Sequence, residues 1–128
     1  MIKFFYIFAA VSGLCSVACG AFGAHALSSI LEPKMLAAFK TGVQYQMAHS
    51  LALLITLLVI EVRGQNPQLT FSCYSFTVGI VLFSGSLYLL ALTGVHWFGP
   101  VTPIGGVLLL LAWALLAIGI WRAPNSVR

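Results

Sequence analysis

Four stretches of this sequence, residues 4–27, 42–62, 73–93 and 104–121, hold a single charged side chain between them, Glu61. A helix needs about 20 consecutive apolar residues to cross the hydrocarbon core of a bilayer. Each stretch is of that order, and the connecting segments "SSILEPKMLAAFKT", "RGQNPQLTFS" and "VHWFGPVTP" carry most of the prolines and several of the charges. A soluble domain devotes roughly 25% of its residues to charge; here 6% are charged and 61% are hydrophobic. A chain so composed cannot cover a water-facing surface, and the membrane class follows. The expected fold is an all-α membrane protein, one integral domain over residues 1–128, with four transmembrane helices in an antiparallel bundle. The net charge of +4 is no nucleic-acid footprint, because the basic residues are scattered and form no run.

Position along the chain assigns further roles. The first span could be taken for a signal peptide, but its apolar run is long for one. Its small residues have another use. Ser12, Ser16, Gly20 and Ala24 recur every four residues, with Gly13, Cys15, Cys19 and Gly23 beside them, a spacing that lets helix backbones approach closely in lipid. Lys3, Arg63, Arg122 and Arg128 fall on one side of the four spans and Lys34 and Lys40 on the other, which places both termini in the cytoplasm. On that orientation Tyr6 and Trp121 mark the inner interface and Trp97 the outer. "PKMLAAFK" reads as a short amphipathic helix lying in the outer interface between spans 1 and 2, with Pro33 in its first turn, Met35, Leu36 and Phe39 towards lipid, and Lys34 and Lys40 towards water. It could also run on into the second span, with Gly42 permitting a bend.

Polar groups inside the spans need partners. His25, Gln46 and His49 come from the first two spans, and Ser84, Ser86, Tyr88 and Thr93 from the third. Nearly all are placed in the outer half of the bilayer, rimmed by His96 and Thr102. His25, Gln46, His49, Ser86, Tyr88 and Thr93 are the candidate binding residues. Two readings stand for them: a polar pocket opening outward, or an interhelical hydrogen-bond network that locks the bundle. His25 can also be an interfacial residue. Metal binding is disfavoured, since no CxxC, HxxxH or HExxH spacing occurs. Cys15, Cys19 and Cys73 are odd in number and fit a packing role better than a disulfide framework. No span carries an Asp, no GxSxG occurs, and the ionisable groups do not continue across the membrane as a proton relay would require. An enzyme is not expected, nor is a cofactor.

"GAFGAHAL", "FKTGVQYQMAHSLALL", "FSGSLYLLALTG" and "GPVTPIGG" occur in this order. Together they resemble the domain of unknown function 423 family, which includes transmembrane protein 256. The resemblance runs from Gly13 to about Trp113. It implies a short multi-span bacterial inner-membrane protein and carries no activity with it. Its motif residues here are Gly20, Gly23, His25, Gln46, His49, Ser84, Gly85, Ser86, Tyr88, Thr93, Gly94, Pro103, Gly105 and Gly106. "TPIGG" would open the fourth span with a tight turn, or offer free N–H groups to an anion or carbonyl. The function expected is binding or movement of a small molecule or lipid headgroup in the outer half of the bilayer. The alternative is an accessory or assembly subunit of a larger membrane complex. Partners expected are the lipid bilayer and a second copy or a larger complex, and no nucleic acid.

Overall fold

Inside a bilayer no water pairs with backbone N–H and C=O groups, so each spanning segment must satisfy its own, and a helix does this. The computed structural model describes residues 1–125. Four helices form: α1 (Ile2–His25), α2 (Pro33–Arg63), α3 (Pro67–Thr93) and α4 (Val101–Arg122), with 3₁₀ turns at Leu27–Ser29 and His96–Phe98. No strand occurs among the described residues. All four helices are long and apolar enough to cross a membrane. Arg128, one of the basic residues used to orient the spans, lies outside the described residues.

The helices exceed the apolar stretches that announce them. α2 has 31 residues, about 46 Å at 1.5 Å per residue, against roughly 30 Å of hydrocarbon. The expected separate helix at "PKMLAAFK" is therefore corrected: these residues are the first turns of α2, entered through Pro33 at the helix start. Phe39 does not face lipid. It is 2% exposed and packs in a cluster with Leu27, Leu31, Met35, Leu36 and Tyr88. The backbone at Gly23 makes room for it, since a Cβ there would stand 3.0 Å from the Phe39 ring. α3 likewise begins six residues before the expected span, at Pro67. Asn66 caps it by accepting from the Leu69 N–H at 2.9 Å, the usual work of an N-cap asparagine. The Asn66 amide also donates to the Gly119 carbonyl at 2.9 Å, which ties the start of α3 to the end of α4.

Each helix packs chiefly on its neighbours in the chain, α1 on α2, α2 on α3 and α3 on α4. α2 and α3 form the middle pair, with 44% and 39% of their spanning windows buried against 22% and 28% for the spans of α1 and α4. Among the described residues α1 and α4 do not pack along one another. The arrangement is a row of helices rather than a closed four-way bundle. α1 reaches α3 at one end, where Phe5 meets Tyr74 edge to face at 5.0 Å.

With lipid as apolar as leucine, close packing and hydrogen bonds must hold the row together. In α1 the buried face is Phe5, Ala9, Ser12, Ser16 and Gly23. Ala24 is exposed, so the expected small-residue stripe turns off through Gly23 instead. Between α2 and α3, Gly42 lies under Tyr88 and Leu87 and accepts from Ser84 Oγ at 2.7 Å. The closest approach joins α3 to α4: a Cβ on Gly105 would stand 2.7 Å from Phe83 Cα. Along the same seam Ser72 Oγ donates to the Ala112 carbonyl at 2.8 Å.

Candidate functional site

Two polar regions grow out of adjacent turns of α2. Gln46 and His49 are three residues apart, about 60° around the helix axis, and that angle sends them to different neighbours. Gln46 turns towards α1. Its Nε2 donates to the Ser12 carbonyl at 3.0 Å and to Ser12 Oγ at 3.3 Å. Its Oε1 accepts from the Tyr88 hydroxyl of α3 at 2.6 Å. Ser50, one turn along, donates to the Gln46 carbonyl at 2.6 Å and lies 2.8 Å from Ser12 Oγ. Three helices are thereby knotted at one amide. A shallow depression of about 290 Å³ lies over the knot, walled by Phe8, Val11, Cys15, Ile80 and Val81.

His49 turns towards α4. Its Nδ1 is 2.7 Å from the Tyr45 carbonyl one turn earlier. The ring stacks on Tyr45 at 5.5 Å and meets Trp113 edge-on at 6.1 Å, with Phe76 of α3 beneath it at 5.9 Å. Tyr45 in turn stacks on Phe83 at 4.5 Å. The rings of His49, Tyr45, Phe83 and Trp113 wall a groove of about 710 Å³ between α2 and α4, completed by Gln44, Ala48, Pro103, Gly106, Val107, Leu109 and Leu110. That volume falls in the range of small-molecule sites, which are mostly apolar with a few placed polar groups. His49 is near the middle of α2, sixteen residues from Pro33 and fourteen from Arg63. Trp113 is similarly central in α4.

The six residues expected to bind do not line one cavity. Gln46 and Tyr88 belong to the knot and His49 to the groove on the other side. Ser86 faces α4, 2.6 Å from Thr102 Oγ1. Thr93 is exposed and returns its hydroxyl to the Leu89 carbonyl of its own helix. His25 is exposed at the end of α1. The structure thus divides these residues between a hydrogen-bonded network and a separate lateral groove. No fully buried side-chain nitrogen or oxygen lacks a partner among the described residues, and no group of three His, Cys, Asp or Glu there could hold a metal ion.

Sequence reasoning passes over Ser12 and Ser50 as polar partners and over Tyr45, Phe83 and Trp113 as groove walls. Trp113 carries a signal. Tryptophan in a span usually sits at the membrane interface, and this one stands mid-span with no charge near it in the sequence.

Residues 19–106 match the model of the family described as protein of unknown function (DUF423). The chain is 44% identical over 124 residues to the UPF0382 inner membrane protein YgdD of Escherichia coli K12, covering 97% of this chain and 94% of the relative. It is 38% identical over 116 residues to the UPF0382 membrane protein YwdK of Bacillus subtilis, covering 91% and 94%. A UPF0382 membrane protein of Haemophilus influenzae is 44% identical over 116 residues, 91% of this chain and 92% of the relative. No solved structure matches the chain.

Proposed function

Because this chain belongs to the DUF423 family, whose relatives are named only as membrane proteins, we propose that it is a non-enzymatic membrane protein that binds one small, largely apolar molecule in the groove between α2 and α4. The observation that carries this reading is the groove itself: about 710 Å³, walled mostly by rings and aliphatic side chains, with Gln44 and the buried ring of His49 as polar members of its lining. In the bilayer the helices run antiparallel with both termini in the cytoplasm. Contact pairs that climb one helix and descend the next, such as Ser12 with Ser50, Ser16 with Met47 and Gly23 with Phe39, support this reading, as do the basic residues Lys3, Arg63 and Arg122. A reporter active only in the periplasm, fused after Arg128, is expected to stay silent; activity there overturns the orientation.

The binding reading is tested by filling the groove. A Cβ on Gly106 would meet the Phe83 ring at 3.7 Å, ordinary contact, so Gly106→Leu fits its backbone and projects into the space. Organic extraction and mass spectrometry of the purified full chain should find about one bound apolar molecule per chain, absent from Gly106→Leu. The same stoichiometry in both, or none in either, overturns the reading. A second reading, an accessory subunit, is favoured by the open row, which leaves α1 and α4 free at its two edges. A stoichiometric membrane protein retained through mild-detergent purification supports it.

A further inference from the structure

The hydrogen bonding of His49 restricts what the groove can hold. A carbonyl oxygen only accepts, so the 2.7 Å contact between Nδ1 and the Tyr45 carbonyl places the ring proton on Nδ1. In a neutral imidazole the other nitrogen, Nε2, is then a lone-pair acceptor. Nε2 makes no hydrogen bond to any described residue. His49 is only 8% exposed, yet no fully buried side-chain nitrogen among the described residues lacks a partner. Nε2 therefore keeps some accessible surface, and the ring that carries it lines the groove. The Nδ1 bond and the stacked Tyr45 ring hold the imidazole in this orientation.

Resting on the binding reading above, we infer that the occupant is an apolar molecule bearing a hydroxyl, an alcohol or a phenol, whose O–H donates to His49 Nε2. At His49 Nε2, molecules with only acceptors, such as ethers, esters and ketones, would set lone pair against lone pair. The rings of Tyr45, Phe83 and Trp113 suit a phenol best, since they offer both faces and edges to another ring. The remaining walls, Val107, Leu109 and Leu110, suit its hydrocarbon tail.

Two matched probes test this: an alkylphenol with a brominated tail, and its methyl ether, which keeps shape and loses the donor. Trp97 and Trp121 are 85% and 89% exposed, so Trp97→Phe and Trp121→Phe leave Trp113 as the sole fluorescent reporter, quenched by bromine. In the full chain in nanodiscs, the phenol should quench saturably and bind about three- to ten-fold tighter than the ether, the worth of one hydrogen bond. His49→Leu should level the two probes, and His49→Gln, which keeps an acceptor, should retain part of the preference. Equal affinities in the unmodified chain, or a phenol preference that survives His49→Leu, overturn the hydroxyl inference while leaving groove binding intact. If neither probe quenches saturably, the binding reading falls and this one with it.

Discussion

The Gln46 knot and the His49 groove start within one turn of α2 and differ in how many hydrogen-bonding positions the protein itself fills. At Gln46 both ends of the amide are occupied by Ser12 and Tyr88. Both ends of the side chain are committed to the protein, and removing Gln46 takes a partner from Ser12 and from Tyr88. At His49 one nitrogen is spent on the Tyr45 carbonyl and the other has no partner among the described residues, on a ring that lines a groove. A saturated cluster holds helices together; a cluster with one open position can recognise something else. Burial alone does not separate them, since both side chains are 8% exposed.

Substitutions can pull the two apart. The largest effect is expected from Gly105→Leu. Its side chain would drive into the Phe83 backbone, and because backbone cannot yield as a flexible side chain does, the loss should reach about 3 kcal/mol or more. α4 would lift from α3, taking the Trp113 wall with it. Thermal unfolding in detergent followed by circular dichroism should fall sharply, and Trp113 emission should shift to the red. An unchanged melting point would mean that α4 does not lie against Phe83.

Gln46→Leu comes next. It leaves the Tyr88 hydroxyl without its acceptor and Ser12 with Ser50 alone, at a cost of about 1–3 kcal/mol. Probe binding at Trp113 should stay within about two-fold, because the knot and the groove share no hydrogen bond. Lost binding with an unchanged melting point would reverse the roles assigned here. Tyr88→Phe removes one donor from the same knot and should cost less, about 0.5–1.5 kcal/mol. Made together with Gln46→Leu, it should add less than it costs alone, the mark of a shared network. Strict additivity in that double-mutant cycle would mean the two side chains do not meet.

The smallest change in stability, within about 0.5 kcal/mol, is expected from Gly106→Leu, where the added side chain enters open groove rather than backbone. Its effect should appear in binding, with loss of saturable quenching at Trp113. Gly105→Leu lies one residue away, yet the same chemical change breaks the fold on one side of α4 and only fills the groove on the other.

The four spans are legible in the sequence alone, because the transfer energy of about 20 apolar residues adds up along each stretch without reference to any neighbour. Pro33 as a helix start depends only on its own ring geometry. Helix ends beyond the hydrocarbon are less legible. Asn66 and Pro67 form a capped start that a search for apolar length passes over, and the early turns of α2 look like a separate element because Lys34 and Lys40 interrupt the hydropathy.

The site residues divide differently. Gln46, His49, Ser86 and Tyr88 are recognisable from the chain alone as polar groups in apolar spans that need partners, because an unpaired polar group in hydrocarbon is costly wherever it lies. Which partner each finds depends on how the helices pack. Gln46 and His49 differ by about 60° around one helix, and the row of helices puts α1 within reach of the first and α4 beside the second. Spacing along a chain fixes that angle but not which helix stands opposite it; that depends on where small residues such as Gly42 and Gly105 let backbones approach, a property of pairs of helices rather than of either alone.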